Sequence, residues 1–177
     1  SYMESVWNVF ARLEKKGLVY KGFRVMPYST SLTTPISNFE ANQNYKDIVD
    51  NTVYVKFQTE IGTILVWTTT PWTLFSNQAL CINPDIIYVK VECKGEEYIL
   101  AKSRIKTVFK ELLKKNKVNI VKKMTGKELE GYKYTPLFNY NPQIEYKIIC
   151  DNFVTDSSGT CIVHISPAFG ADDFDVC

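Results

Sequence analysis

Short β-prone runs separated by turn residues divide most of this chain, and that segmentation constrains its fold more than any other feature. Val53–Phe57 and Ile61–Trp67 are rich in β-branched and aromatic residues and meet at the tight turn Thr59-Glu60-Ile61-Gly62. Ala79–Ile82, Ile86–Glu92 and Tyr98–Ala101 follow, the last two folding back across Lys94-Gly95. Val118–Val121, Tyr146–Cys150 and Thr160–Ile165 extend the series, and Leu18–Tyr20 and Phe23–Tyr28 read as two further strands around Lys21-Gly22. Helices are fewer. Met3–Lys16 carries Val6, Trp7, Phe10 and Leu13 at helical spacing and stops at Gly17. Ser103 caps a second helix to about residue 116, with Ile105, Val108, Phe109, Leu112 and Leu113 on its apolar side. Thr125-Gly126-Lys127-Glu128 is a capping box for a short third. The pattern predicts a mixed α/β, β-rich fold with a barrel-like antiparallel or mixed sheet and helices around it.

The polar stretch from Ser29 to Asn51 interrupts this order, and excursions of that length inside a domain are usually functional or specifically packed. At 177 residues the chain suits a single module. Its abrupt helical start suggests a domain cut from a larger protein, with residues 1–17 as a junction helix. Hydrophobic residues at 45% against 23% charged exclude a disordered chain. No apolar run is long enough for a bilayer and no signal-peptide pattern opens the chain, so a soluble protein without membrane contact is expected. A monomer in the cytoplasm is expected as well. The five cysteines, Cys81, Cys93, Cys150, Cys161 and Cys177, are scattered, and His164 is the only histidine. That spacing gives no metal-ligand cluster and reads as reduced, mostly buried thiols. Net charge is only +2, yet ten Lys or Arg lie between Lys102 and Lys127. A solvated face explains them as well as a phosphate-binding one does.

Two segments could carry chemistry. In Trp67-Thr68-Thr69-Thr70-Pro71-Trp72-Thr73-Leu74-Phe75-Ser76-Asn77, threonines cluster at a strand end that Pro71 breaks, freeing hydroxyls and N–H groups to bind a carbonyl and orient a water. Taken alone, a Thr-rich strand end beside a buried Trp is the simpler reading. In Ser158-Gly159-Thr160-Cys161-Ile162-Val163-His164-Ile165-Ser166-Pro167-Ala168-Phe169-Gly170-Ala171-Asp172-Asp173, alternation puts Thr160, Ile162 and His164 on one strand face. The turn after Pro167 delivers two aspartates to a helix start, where an ionised carboxylate is favoured and could hold a cation. Asp172 is expected to serve as N-cap. No Ser-His-Asp order, Walker loop or paired metal ligands can be assembled. The residues alone describe a polar, metal-free, threonine-rich site with one anionic anchor and name no substrate.

Four segments together resemble the connective-peptide editing insertion of class I aminoacyl-tRNA synthetases for branched aliphatic amino acids: Lys21–Thr30, Ser37–Ala41, Thr68–Asn77 and Gly159–Asp173. Valyl and leucyl members carry Thr-Thr-Arg-Pro followed by an acid; Thr70 and Trp72 stand at those positions here and resemble the eukaryotic cytosolic isoleucyl branch. The synthetic-site motifs His-Ile-Gly-His and Lys-Met-Ser-Lys-Ser are absent from this sequence, and ATP and Mg would belong to the parent enzyme. The resemblance implies a hydrolase that cleaves valine from isoleucine tRNA, with that tRNA's 3′ end and the rest of the parent synthetase as partners and no cofactor of its own. Isoleucyl enzymes are the standard illustration of why such a site exists: one methylene separates valine from isoleucine by only about 150-fold at a synthetic pocket.

The resemblance implies roles for Thr68, Thr69 and Thr70 in lining the ester carbonyl and positioning water, and for Asp173 in holding the substrate ammonium. It implies that Thr73 and His164 wall the side-chain pocket and that Trp72 and Asn77 shape the adenosine pocket. Two positions depart from the family's pattern. Phe75 replaces a proline and could reshape the pocket rim, and Cys161 replaces a glycine beside the His164 strand. Alternatives are a non-catalytic module that holds the tRNA acceptor end and a leucyl-type editing domain.

Overall fold

The computed structural model describes residues 1–113 and 118–177. Two compact units make up the chain, Ser1–Ala41 and Asn42–Cys177. In the first unit, α1 (Tyr2–Lys15) starts at Ser1 with a capping box to Glu4. Its stripe of Val6, Trp7, Phe10 and Leu13 is exposed. A two-residue pair, β1 (Tyr28–Ser29) and β2 (Thr34–Pro35), and a single turn, α2 (Asn38–Ala41), complete it. The strands expected over 18–20 and 23–27 do not form: their residues are apolar and β-prone, but no strand pairs with them among the described residues.

The second unit contains β3 (Val53–Thr59), β4 (Gly62–Thr68), β5 (Ala79–Ile82), β6 (Ile87–Cys93) and β7 (Glu96–Ala101). After them come α3 (Ile105–Val108), α4 (Lys110–Leu113), β8 (Val118–Thr125), α5 (Gly126–Leu129), β9 (Tyr134–Thr135), β10 (Lys147–Cys150), β11 (Ile162–Ile165) and α6 (Ala171–Val176). Six strands form one sheet in the order β8-β6-β7-β4-β3-β9, in which only β4–β7 is parallel. Three form another, β10-β5-β11, with β5 parallel to β10 and antiparallel to β11. The β-rich mixed fold expected from the sequence is present, but the sheets do not close into a barrel. Links between them include an isolated Lys133–Lys147 bridge and a hydrogen bond from Ala101 N–H to the Thr160 carbonyl.

The largest core lies between the sheets, where Phe57, Ile64, Val66, Tyr88 and Ile99 meet Leu80, Ile82, Ile148 and Ile162. Each such side chain contributes about 1.5–3 kcal/mol by leaving water. The opposite face of the larger sheet buries Leu65, Val89, Val91 and Leu100 under Ile105 and Phe109. Burial on both faces explains why Ile64-Leu65-Val66 runs apolar without alternation. The helix expected from Ser103 is broken: a 3₁₀ turn at Lys102–Arg104 leads into α3, Phe109 leaves helical geometry, and α4 follows. Ser103 lies inside the 3₁₀ turn, whose N-cap is Ala101, and the end of that expected helix lies outside the described residues.

Candidate active site

The first wall of the site begins where β4 ends. Thr68 is the last residue paired with β3, and Pro71 cannot donate to a ladder, so the chain turns into a 3₁₀ helix over Pro71–Ser76. Threonine side chains satisfy the turn. Thr68 Oγ1 accepts the Thr70 N–H at 3.0 Å, and Thr73 Oγ1 donates to the Thr70 carbonyl at 2.8 Å. Thr70 Oγ1 lies 3.4 Å from both the Thr68 and the Thr73 hydroxyl. The cluster is thus a small hydroxyl network bordering the end of a strand.

The second wall is the segment 158–173. β11 places His164 opposite Leu80 of β5, and the ring reaches across so that Nε2 lies 2.9 Å from Thr73 Oγ1. The approach to β11 is tightly constrained. Gly159 has φ +56°, and a Cβ there would stand 2.7 Å from the Trp67 ring, so the backbone comes this close only without a side chain. Cys161 holds φ +57°, a region that a branched or bulky residue avoids. It is pinned by Tyr88, whose hydroxyl donates to the Cys161 carbonyl at 2.7 Å. Arg104, one of the basic run, donates to the carbonyls of Gly159 and Ser157 at 3.0 and 3.2 Å and fixes this loop from outside.

Beyond β11, the Ser166-to-Gly170 turn leads into α6, with Gly170 as the N-cap. Asp172 is therefore not the cap that the sequence suggests; it sits exposed in the first turn. Asp173 turns back, and its Oδ2 accepts the Ser166 N–H at 2.8 Å. The Ser166 hydroxyl meets that of Ser76, which donates to the Thr73 carbonyl at 3.0 Å, so the two walls are laced together behind the cavity.

Thr73 has one hydroxyl proton, with the Thr70 carbonyl and His164 Nε2 both within reach; when it goes to Thr70, the Thr73 oxygen accepts from His164 Nε2–H. Nδ1 is then a bare acceptor, sealed from solvent and without a partner among the described residues. A charged ring would replace that lone pair by an unpaired buried N–H. Burial pushes the imidazole below its ordinary value, opposed in part by the Asp173 carboxylate. Burial thus favours the neutral ring, which presents its surface to the cavity.

Between the walls lies a cavity of about 560 Å³, lined by Thr68, Thr69, Thr70, Trp72, Thr73, His164 and Asp173. Seven of the eight residues singled out from the sequence thus converge. Asn77 does not: it is buried elsewhere, donating to the Ala79 carbonyl at 2.8 Å and accepting from the Tyr134 hydroxyl at 2.6 Å, which braces the core. Phe75 also lies off the lining and stacks on Phe138. The sequence reading missed Phe153, Thr155 and Phe169, which share the lining. They sit in irregular segments whose approach depends on β5 pairing with β11, and no local pattern signals that. Among the described residues no three His, Cys, Asp or Glu side chains are placed to hold a metal. Cys81, Cys93 and Cys161 are buried, and burial pushes the Cys81 thiol up to about 12.

A cavity with hydroxyls on one side, a carboxylate opposite and a neutral ring between them suits a cationic amine attached to a carbonyl. Residues 1–162 match the tRNA synthetases class I (I, L, M and V), and the chain belongs to that family. Within it, the similarity is to isoleucine–tRNA ligases. The chain is 50% identical to the cytoplasmic isoleucine–tRNA ligase of Saccharomyces cerevisiae, covering 100% of this chain and 17% of that protein. It is 48% identical to the probable cytoplasmic isoleucine–tRNA ligase of Dictyostelium discoideum over 99% of this chain and 17% of the relative. The isoleucine–tRNA ligase of Chlamydia trachomatis is 46% identical over 100% of this chain and 18% of its own length. The chain thus spans about a sixth of these relatives, and the cytoplasmic setting expected from the sequence is that of the two eukaryotic ones. In fold it is similar to GlLeuRS-CP1 (TM-score 0.57, 15% identity, 71% of this chain and 58% of the other). It is also similar to the Plasmodium falciparum cytosolic leucyl-tRNA synthetase editing domain (TM-score 0.51, 18% identity, 63% and 43%).

Proposed function

We propose that this cavity removes valine from mischarged isoleucine tRNA by hydrolysing the ester to the terminal ribose. The observation that carries the reading is the convergence of Thr68, Thr69, Thr70, Thr73, His164 and Asp173 on one cavity from two segments far apart in sequence. Asp173 keeps Oδ2 on Ser166, and Oδ1 is left to hold the α-ammonium. The threonine hydroxyls bind the ester carbonyl and a water. Water adds to that carbonyl, the C–O bond to the ribose breaks, and the departing oxygen takes a proton. His164 takes no proton in this scheme: its Nε2 is engaged with Thr73 and its Nδ1 is buried away from solvent. It serves as a wall against the amino-acid side chain. Rate comes from positioning and from hydrogen bonds aimed at the developing oxyanion. No cofactor takes part.

The test is release of valine from mischarged isoleucine tRNA by this chain and by its Asp173→Asn variant. The asparagine can still accept the Ser166 N–H, so the turn survives while the charge is lost. Deacylation by the unaltered chain and a loss of at least about 100-fold in the variant are expected. Equal rates would end the role of Asp173. Tight binding of the tRNA end with no turnover by either protein would leave a non-catalytic acceptor-end module.

A further inference from the structure

Beside the cavity runs a second arrangement that hydrolysis does not use. The Phe75 and Phe138 rings stack at 4.5 Å with an interplanar angle of 27°, and Phe138 and Tyr140 lie 5.9 Å apart and 1° from parallel. All three are in solvent: Phe75 is 56% exposed, Phe138 37% and Tyr140 73%. Aromatic pairs favour both offset-stacked and edge-to-face arrangements, and this exposed row uses the stacked one. In the buried core of the same unit, Phe57–Tyr134 and Tyr134–Tyr146 meet edge to face at 84° and 65°. Edge-to-face pairs interlock and fill space, whereas parallel rings leave an open π-face at the end of the row.

The position of the row indicates its occupant. In a 3₁₀ helix, residues three apart eclipse one another, so Trp72 and Phe75 share one face of the Pro71–Ser76 turn. Trp72 lines the cavity, and Phe75 begins the aromatic row on the same face. The row therefore begins on the face of the turn that Trp72 presents to the cavity. A strand whose last nucleotide enters the cavity past Trp72 carries its preceding, unpaired bases along this face, and unpaired bases stack on exposed aromatic side chains. Accepting that an RNA 3′ end occupies the cavity, we propose that Phe75, Phe138 and Tyr140 form a stacking platform for an unpaired base next to the terminal nucleotide. The departure at Phe75 then adds a ring to this surface and leaves the side-chain pocket as it is.

Mischarged isoleucine tRNA carrying 2-aminopurine at each of the three positions before the terminal adenosine, in separate transcripts, reports stacking by loss of fluorescence. Quenching at one of these positions is expected with the unaltered protein. Tyr140→Leu, whose side chain is mostly in solvent, and Phe75→Leu should each abolish much of it. In both variants the KM for the tRNA ester should rise roughly tenfold, with kcat unchanged. Hydrolysis of valyl-adenosine, too short to reach the row, should be the same in all three proteins. No quenching by the unaltered protein, or equal quenching and KM in the variants, overturns the platform and returns the row to a protein contact. Failure of the unaltered protein to hydrolyse valyl-adenosine would instead count against the editing reading.

Discussion

At the scale of single residues, His164 is held on both sides of its ring. Its Nε2 is engaged by the Thr73 hydroxyl, and its Nδ1 is closed off from solvent. If the ring is a wall, shortening it admits one more methylene, whose exclusion from a packed pocket is worth roughly 1–3 kcal/mol. His164→Ala should begin to release isoleucine from correctly charged tRNA while still releasing valine. An equal slowing of both rates, with no gain toward isoleucine, would make the ring a base after all. The same burial has a consequence for pH. A ring whose folded value lies below its unfolded value of about 6.5 binds fewer protons when folded, so stability rises with pH through that interval. The contribution is complete above about 6.5 and is lost as pH falls toward the lower folded value. Melting temperatures of the unaltered chain should thus drop in that window, and those of His164→Gln, which cannot titrate, should drop less. Parallel curves would assign the acid sensitivity to other groups.

At the scale of elements, the turn that leads into β11 carries the strain. Cys161 sits at φ +57° with its carbonyl held by Tyr88 and its thiol in the main core. Glycine there would relieve roughly 1 kcal/mol of backbone strain but remove a buried group worth about 1 kcal/mol, so Cys161→Gly should change unfolding free energy little. Cys161→Val keeps the burial and puts a β-branched residue where such residues are outliers, and it should destabilise by at least about 2 kcal/mol. Chemical denaturation of the two variants decides it; equal effects would mean the turn relaxes without strain. Cysteine at 161 was legible as a departure from a pattern, but its positive φ was not. Other elements divide in the same way. The β3–β4 and β6–β7 hairpins were readable because alternation and their Gly turns are local. The threonine wall was readable because Pro71 breaks a strand. Asn77 was misplaced, since its sequence neighbourhood is the site's while its side chain points to Tyr134. The failed strands before residue 28 and the break at Phe109 share a cause: apolar spacing says that a segment is buried or paired, and only a partner decides which.

At the scale of the whole molecule, the site is a product of distant pairing. Thr73 and His164 touch across 91 residues, and β11 reaches its place only by joining β5. Closing a chain segment of that length costs about 4 kcal/mol of entropy before any contact is gained, whereas the β3–β4 hairpin closes locally. In pulse-labelled refolding, amides of residues 54–67 should gain protection before those of Ile162–Ile165. Simultaneous protection would mean that the two sheets form in one step. The separation also sets a schedule in synthesis. At about 5–20 residues per second, the threonine wall emerges roughly 5–20 s before its histidine. Throughout that interval the nascent chain carries half a cavity, and whatever the finished cavity binds must wait for the second wall.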